Sequence, residues 1–361
     1  MTRLPVREEL RGLTSYGAPQ LDVPVRLNTN ENPFQPPRDF IEDLGTAVVE
    51  VAKTLNRYPD RDATRLRAGL ATYVSRESEV PGIDAARVWA ANGSNEVMQQ
   101  LLQAFGGPGR MALTWTPTYS MYEEYARNTF TEFVTVPRGS DYGIDPEQAA
   151  GTVRLLRPDV VFIASPNNPT GTAIGLEVIQ AVVDAFEGMV IVDEAYAEFR
   201  RPGVPSAVSL VADNPRVVVT RTMSKAFGFA GARLGYLVAD PEVVEVLRVV
   251  RLPYHLSSLT QAVALTALEH TSELGEQVRL LRAERDALID WFDANGFDTT
   301  PSDANFALVG TFPDRHAVWQ ALVDEGVLIR EVGPEGFLRV SIGTPAEMET
   351  FRTALLKVGA R

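Results

Sequence analysis

Thr222-Met223-Ser224-Lys225-Ala226-Phe227-Gly228-Phe229-Ala230-Gly231-Ala232-Arg233-Leu234-Gly235-Tyr236 is the stretch around which the chain is organised. The β-branched run Val217–Thr220 precedes it and reads as a buried strand. A lysine then arrives among hydroxyls (Thr222, Ser224), three glycines (Gly228, Gly231, Gly235) and Arg233. Glycines let backbone approach a ligand closely, and hydroxyls and arginine suit an anionic phosphate. Burial depresses a lysine's proton affinity and makes its amine a nucleophile. This combination suits a Schiff base to pyridoxal phosphate. Taken alone, it suits equally a strand-to-helix turn whose glycines serve packing.

The chain has 361 residues, 45% of them hydrophobic and 22% charged, which predicts a globular protein of two subdomains. A net charge of −13 argues against nucleic acid or an anionic membrane as partner. No apolar run reaches the length of a membrane span, and the first ten residues lack a signal-peptide core, so a cytoplasmic location is expected. The chain has no cysteine, and its three histidines, His255, His270 and His316, are widely spaced. Thiolate nucleophiles and a histidine metal site are therefore not expected.

Residues 1–37 are proline-rich and irregular and read as an arm lying across the rest of the molecule or a partner subunit. Apolar spacing predicts helices over 37–55 and 63–76, a strand at 88–91, and a helix that follows Asn92-Gly93-Ser94-Asn95-Glu96. A strand feeding a turn and a helix start presents backbone N–H groups to an anion, although Ser94 also suits an ordinary N-cap. A strand at 111–114 is followed by a predicted helix over 117–127, with Tyr119 just inside its start, and by a strand at 130–136. Tyr119 suits covering a planar ring or simple packing.

Val160–Ile163 and Met189–Val192 read as central parallel strands. They empty into Ser165-Pro166-Asn167-Asn168-Pro169-Thr170-Gly171 and Asp193-Glu194-Ala195-Tyr196. Ligands of open α/β sheets gather at the carboxyl ends of strands. Three successive strand ends thus deliver Asn168, Asp193 with Tyr196, and Lys225, which tips the reading toward chemistry. Helices over 240–295, with a break near 253–258, lead into short strands (306–309, 327–329, 337–341) and helices (313–325, 345–357) of a smaller unit.

Together Ser165–Gly171, Val192–Tyr196 and Thr222–Tyr236 resemble the fold-type-I pyridoxal-phosphate-dependent aminotransferases. Tyr16–Pro19, Leu27–Pro33, Asn56–Asp60, Ala91–Glu96, Pro117–Tyr122, Pro301–Phe306, Leu328–Gly333 and Leu338–Gly343 extend the resemblance, end to end, to the histidinol-phosphate aminotransferases. The resemblance implies an α/β fold: a large domain (38–260) with a mostly parallel central sheet flanked by helices, a small α+β domain (261–361) and the N-terminal arm (1–37). It implies pyridoxal 5'-phosphate as cofactor, no metal, and an active homodimer.

By the same resemblance, Lys225 carries the cofactor and then shuttles a proton, while Asp193 pairs with the pyridine nitrogen. Asn168 and Tyr196 hydrogen-bond the phenolic oxygen, and Tyr119 stacks on the ring. Gly93, Ser94, Asn95, Thr222, Ser224 and Arg233 hold the phosphate, and Tyr58 reaches it from the neighbouring subunit. Histidinol phosphate and L-glutamate (or 2-oxoglutarate) are the implied substrates, and one site must take a phosphate or a carboxylate. Arginine suits that exchange, being always charged and bidentate, and Arg339 and Arg330 match the family's anion-binding positions. Tyr16, Asn30, Tyr254 and Asn305 are further candidates for lining the imidazole pocket. An aromatic amino-acid aminotransferase and, more distantly, a pyridoxal-phosphate decarboxylase use the same machinery and stay open here.

Overall fold

The computed structural model describes residues 4–359. Residues 1–3 of the expected arm and 360–361 of the expected small domain lie outside the described residues. Twelve strands occur among them: β1 (Val25–Arg26), β2 (Val88–Ala91), β3 (Met111–Thr116), β4 (Glu132–Pro137), β5 (Val160–Ala164), β6 (Met189–Asp193), β7 (Val217–Thr222), β8 (Gly235–Val238), β9 (Asp298–Thr299), β10 (Phe306–Gly310), β11 (Val327–Leu328) and β12 (Leu338–Ser341).

Seven strands form the main sheet in the order β2-β8-β7-β6-β5-β3-β4. All neighbours are parallel except at β8, which runs antiparallel to both β2 and β7. Strands β5, β6 and β7 are continuous apolar or β-branched runs because both faces of the sheet are covered. Val160 and Phe162 of β5 pack with Val97, Leu101 and Leu247 on one face. Val161 and Ile163, one residue out of phase, pack with Val178, Val182 and Phe199 on the other. Each such side chain contributes about 1.5–3 kcal/mol on burial. The register aligns Ala164 with Asp193 and Asp193 with Thr220, so three strand ends open at one level.

The structure departs from expectation at two places near the cleft. β8 was not expected as a strand; it follows the glycine-rich stretch directly, and only tertiary pairing to β2 and β7 marks it. The helix expected over 117–127 starts instead at Met121 and runs to Thr129. The Pro117 carbonyl accepts from Asn167 Nδ2 (3.0 Å) and Thr118 donates to Asn167 Oδ1 (3.1 Å), which holds 117–120 as a loop and leaves Tyr119 ahead of the helix.

The smaller unit holds the antiparallel sheet β12-β10-β9, with β11 paired in parallel to β1 of the arm. The arm continues past this pairing: Leu27 N–H donates to the Leu328 carbonyl (2.7 Å), and Ser341 N–H donates to the Leu27 carbonyl (2.9 Å). The 24-residue helix Thr271–Ala294 carries the fully buried Arg285. That guanidinium donates to the carbonyls of Phe199 (2.6 Å) and Ala304 (3.3 Å), tying the large sheet's side to the smaller unit. Among the described residues no helix is long and apolar enough to cross a membrane.

Candidate active site

The ends of β5, β6 and β7, the start of the helix Ser94–Phe105 and the arm enclose a cleft of about 270 Å³. Tyr16, Asn30, Ser94, Asn95, Tyr119, Asn168, Asp193, Tyr196, Thr222, Ser224, Lys225, Arg233, Arg330 and Arg339 all line it. The Lys225 ammonium donates to the Thr29 carbonyl (2.9 Å) and has no carboxylate within 4.0 Å among the described residues. Burial, reinforced by the charges of Arg339 and Arg233, lowers its pKa to about 8.

Asp193 is buried at the end of β6. Its Oδ2 accepts from the Tyr122 hydroxyl (2.8 Å), and its Oδ1 from Thr220 Oγ1 (3.2 Å) and the Ala195 N–H (3.3 Å). Burial raises its pKa, and these three donors oppose the shift. The Tyr196 hydroxyl accepts from Asn30 Nδ2 (3.0 Å) and Asn168 Nδ2 (3.4 Å), and the ring stands edge-on to Phe306. Tyr119 stands edge-on to Tyr122, with centroids 5.6 Å apart.

At the cleft's other end an anion cradle is built by close backbone approach. Gly93 (φ +81°) precedes the helix Ser94–Phe105 and offers no side-chain cap, so the helix start is open to an anion. A Cβ on Gly93 would stand 2.6 Å from Arg233 Nη2, and one on Gly235 would stand 2.1 Å from the Ser94 nitrogen. Arg233 Nη1 donates to Ser224 Oγ (3.3 Å), and the Ser224 N–H donates to Thr222 Oγ1 (3.1 Å). Gly235→Ala is expected to destabilise the fold by about 1–3 kcal/mol, because backbone and not a mobile side chain must yield; urea unfolding checks it.

On the smaller unit's side, Arg330 and Arg339 exchange both backbone hydrogen bonds at 2.9 Å as a cross-strand pair. Like charges directly opposite are unfavourable, and among the described residues neither has a carboxylate within 4.0 Å. Arg339 donates to Asn168 Oδ1 (2.5 Å) and the Asn28 carbonyl (2.9 Å), while its Nε and Arg330 Nη1 are buried without a partner. Burial, with Arg330 adding to it, lowers the Arg339 pKa to about 10. Two adjacent cations with unused donors form a receptor for an anion.

Two expected residues fall elsewhere. Asn305 is fully buried outside the cleft lining, where its Nδ2 donates to the Asn30 carbonyl (3.0 Å). It shapes the arm and does not line the pocket. Tyr254 (41% exposed) also stands outside its own chain's cleft, because it stacks on Tyr58 (80% exposed) with centroids 4.5 Å apart. The sequence reading missed Tyr122 and Thr220, which hold Asp193, and Thr29, whose carbonyl meets Lys225. Tyr122 lies three positions after Tyr119 in the same motif, a spacing that offered a signal; a backbone carbonyl offers none.

The aminotransferase class I and II family model matches residues 23–355. The chain belongs to the class I and II aminotransferases. This aminotransferase is 59% identical over 358 residues to a histidinol-phosphate aminotransferase of Thermobifida fusca, covering 99% of this chain and 96% of that one. It is 56% identical over 360 residues to histidinol-phosphate aminotransferase 3 of Burkholderia lata, covering 100% and 97%. Its fold is similar to that of the Sinorhizobium meliloti histidinol-phosphate aminotransferase solved in complex with pyridoxal-5'-phosphate. There the TM-score is 0.82 at 26% identity, over 93% of this aminotransferase and 91% of that chain.

Proposed function

We propose that this aminotransferase moves an amino group between L-glutamate and imidazole-acetol phosphate, giving histidinol phosphate and 2-oxoglutarate, with pyridoxal 5'-phosphate as cofactor. The observation that carries the reading is the uncompensated Arg330–Arg339 pair in the same cleft as a depressed-pKa lysine and a buried carboxylate. The residues fit the cofactor: a cradle that a Cβ at Gly93 or Gly235 would fill, and a lysine amine with no carboxylate within 4.0 Å among the described residues.

When bound, pyridoxal phosphate supplies an electron-withdrawing ring that accepts the electron pair released at the substrate carbon. Lys225 accepts and returns the proton at the substrate's α-carbon, work that needs an amine titrating near the working pH. Asp193, held by Tyr122 and Thr220, would hold a negative charge against the ring nitrogen. Asn168 and Tyr196 hydrogen-bond the ring oxygen, and Tyr119 covers the ring face. Ser94, Asn95, Thr222, Ser224 and Arg233 hold the phosphate. Arg339 and Arg330 bind the substrate's anionic end, phosphate or carboxylate, with Tyr16 and Asn30 beside them.

Tyr58 reaches the phosphate of the partner's site in a homodimer; its 80% exposure and distance from its own cleft support this reading. The stacked Tyr254 accompanies it. Separate sheets in the larger and the smaller unit support the division into an arm (1–37), a large domain (38–260) and a small domain (261–361).

A panel with glutamate as donor tests the substrate. Imidazole-acetol phosphate is expected to be preferred over phenylpyruvate; the reverse order would make this an aromatic amino-acid aminotransferase. Arg339→Ala is expected to lower kcat/KM by about 10- to 100-fold for glutamate and for histidinol phosphate alike. A loss confined to one substrate contradicts a shared anion site. Mixing Lys225→Ala with Tyr58→Phe subunits tests the partner contribution. If Tyr58 acts across the interface, one site of each hybrid carries both substitutions and the other is intact, so activity reappears.

A further inference from the structure

We propose that Arg221 and Glu194, buried behind the cleft, are positioning residues: their contact on the far face of β6 and β7 fixes the strand-end geometry through which Thr220 holds the Asp193 carboxylate. This rests on the reading of Asp193 as the partner of the ring nitrogen.

Side chains alternate across a strand. Asp193 and Thr220, aligned in register, meet on the cleft face (3.2 Å), and the next residues along, Glu194 and Arg221, meet on the opposite face. Beyond the ladder a single backbone bond, Glu194 N–H to the Thr220 carbonyl (2.9 Å), still joins the two chains. The far-face contact therefore carries the alignment where the sheet ends. Arg221 is fully buried, and its fork spans separate elements. Nε and Nη2 reach Glu194 Oε2 at 3.0 and 2.7 Å, Nη1 reaches Glu77 at 2.5 Å on the helix Thr64–Glu77, and Nη2 donates to Ser78 and Ser206 at 3.0 Å each. Glu194 in turn accepts from Ser206 Oγ (2.8 Å) and the Ala207 N–H (2.7 Å).

Charge adds to geometry. Three buried or half-buried carboxylates, Glu77, Glu194 and Glu198, face two guanidiniums, Arg200 and Arg221. Glu194 lies beside Asp193 and its negative charge opposes ionisation there; Arg221 answers that charge at 2.7 Å. The other ionisable groups around Asp193 are Tyr119, Tyr122 and Tyr125 from the loop and helix above and Tyr196 beyond β6, all pushed upward by burial and so neutral at working pH. Lys225 and the arginines share the cleft.

The test compares Glu194→Gln, Arg221→Lys, Ser206→Ala and Asp193→Asn in the full-length enzyme. Three quantities are read: the apoprotein's equilibrium affinity for pyridoxal phosphate, the pH midpoint of the bound cofactor's visible absorbance, and kcat and KM for glutamate. Arg221→Lys, which keeps the charge and loses the fork, is expected to move the midpoint in the direction that Asp193→Asn moves it; Glu194→Gln, which also lifts a charge opposing Asp193 ionisation, moves it less. Both lower kcat by about 10- to 100-fold with KM within about twofold, since a small misplacement far from the reacting atoms costs this much. Ser206→Ala, which removes only the hydroxyl bridging the pair, moves the same quantities less and keeps the test open should Arg221→Lys fail to fold. Variants that melt earlier yet keep the midpoint and kcat would overturn the inference. If Asp193→Asn itself changes neither, the reading of Asp193 falls, a separate result.

Discussion

Replacing Lys225 with alanine is expected to remove the protonation-dependent visible absorbance of the protein with pyridoxal phosphate and to lower turnover by about 10,000-fold or more. Among the described residues the amine's one hydrogen-bond partner is the Thr29 carbonyl, and its pKa falls to about 8, first through burial and then through Arg339 and Arg233. A pH dependence follows. The free amine is the nucleophile, so the rate at which apoprotein captures pyridoxal phosphate should rise with pH, reach half its limit near 8 and then level off. A lysine at the ordinary value of 10.5 would keep gaining across the accessible range. A Lys225→Ala protein that retained the band and the turnover would end the proposed role.

Asp193→Asn is expected to move activity and stability in opposite directions. Removing the charge proposed to pair with the ring nitrogen should lower kcat by about 100- to 1,000-fold, the usual effect of deleting one preorganised electrostatic group. For stability the sign is different. Burial raises the carboxyl's pKa in the folded protein above its unfolded value, so as pH climbs between the two the unfolded chain loses its proton first and stability falls. Above both values the ionised carboxylate is a standing cost. An amide oxygen keeps the acceptor for Tyr122 without that cost, while its NH2 meets the Ala195 N–H in a donor–donor contact that offsets part of the gain. Calorimetry of the apoprotein at neutral pH should therefore give a melting temperature equal to or above that of the unaltered chain. A large drop would mean that Asp193 serves the fold.

The positions of Lys225, Asp193 and Asn168 at one level were legible because each follows an uninterrupted β-branched or apolar run, and runs of that kind build central parallel strands. The arginine pair was reached through motif resemblance; that Arg330 and Arg339 face each other across two strands is a fact of pairing that no local pattern encodes. β8 escaped because four residues after a glycine-rich loop carry little periodic signal. Asn305 stands outside the cleft for a related reason: a polar residue near a motif can face a ligand or another part of its own chain, and here it meets Asn30. Tyr122 shows the converse, an aromatic in a helix that reads as core and is core, yet whose hydroxyl grips the Asp193 carboxylate.

The arm crosses to the cleft by pairing with β11 and β12, and its Thr29 carbonyl receives the lysine. During synthesis residues 25–30 leave the ribosome long before 327–341, so they have no edge to dock on until almost the whole chain is out. The Lys225 amine therefore gains its Thr29 partner last, and a nascent chain halted before residue 327 would leave that amine without the carbonyl that receives it.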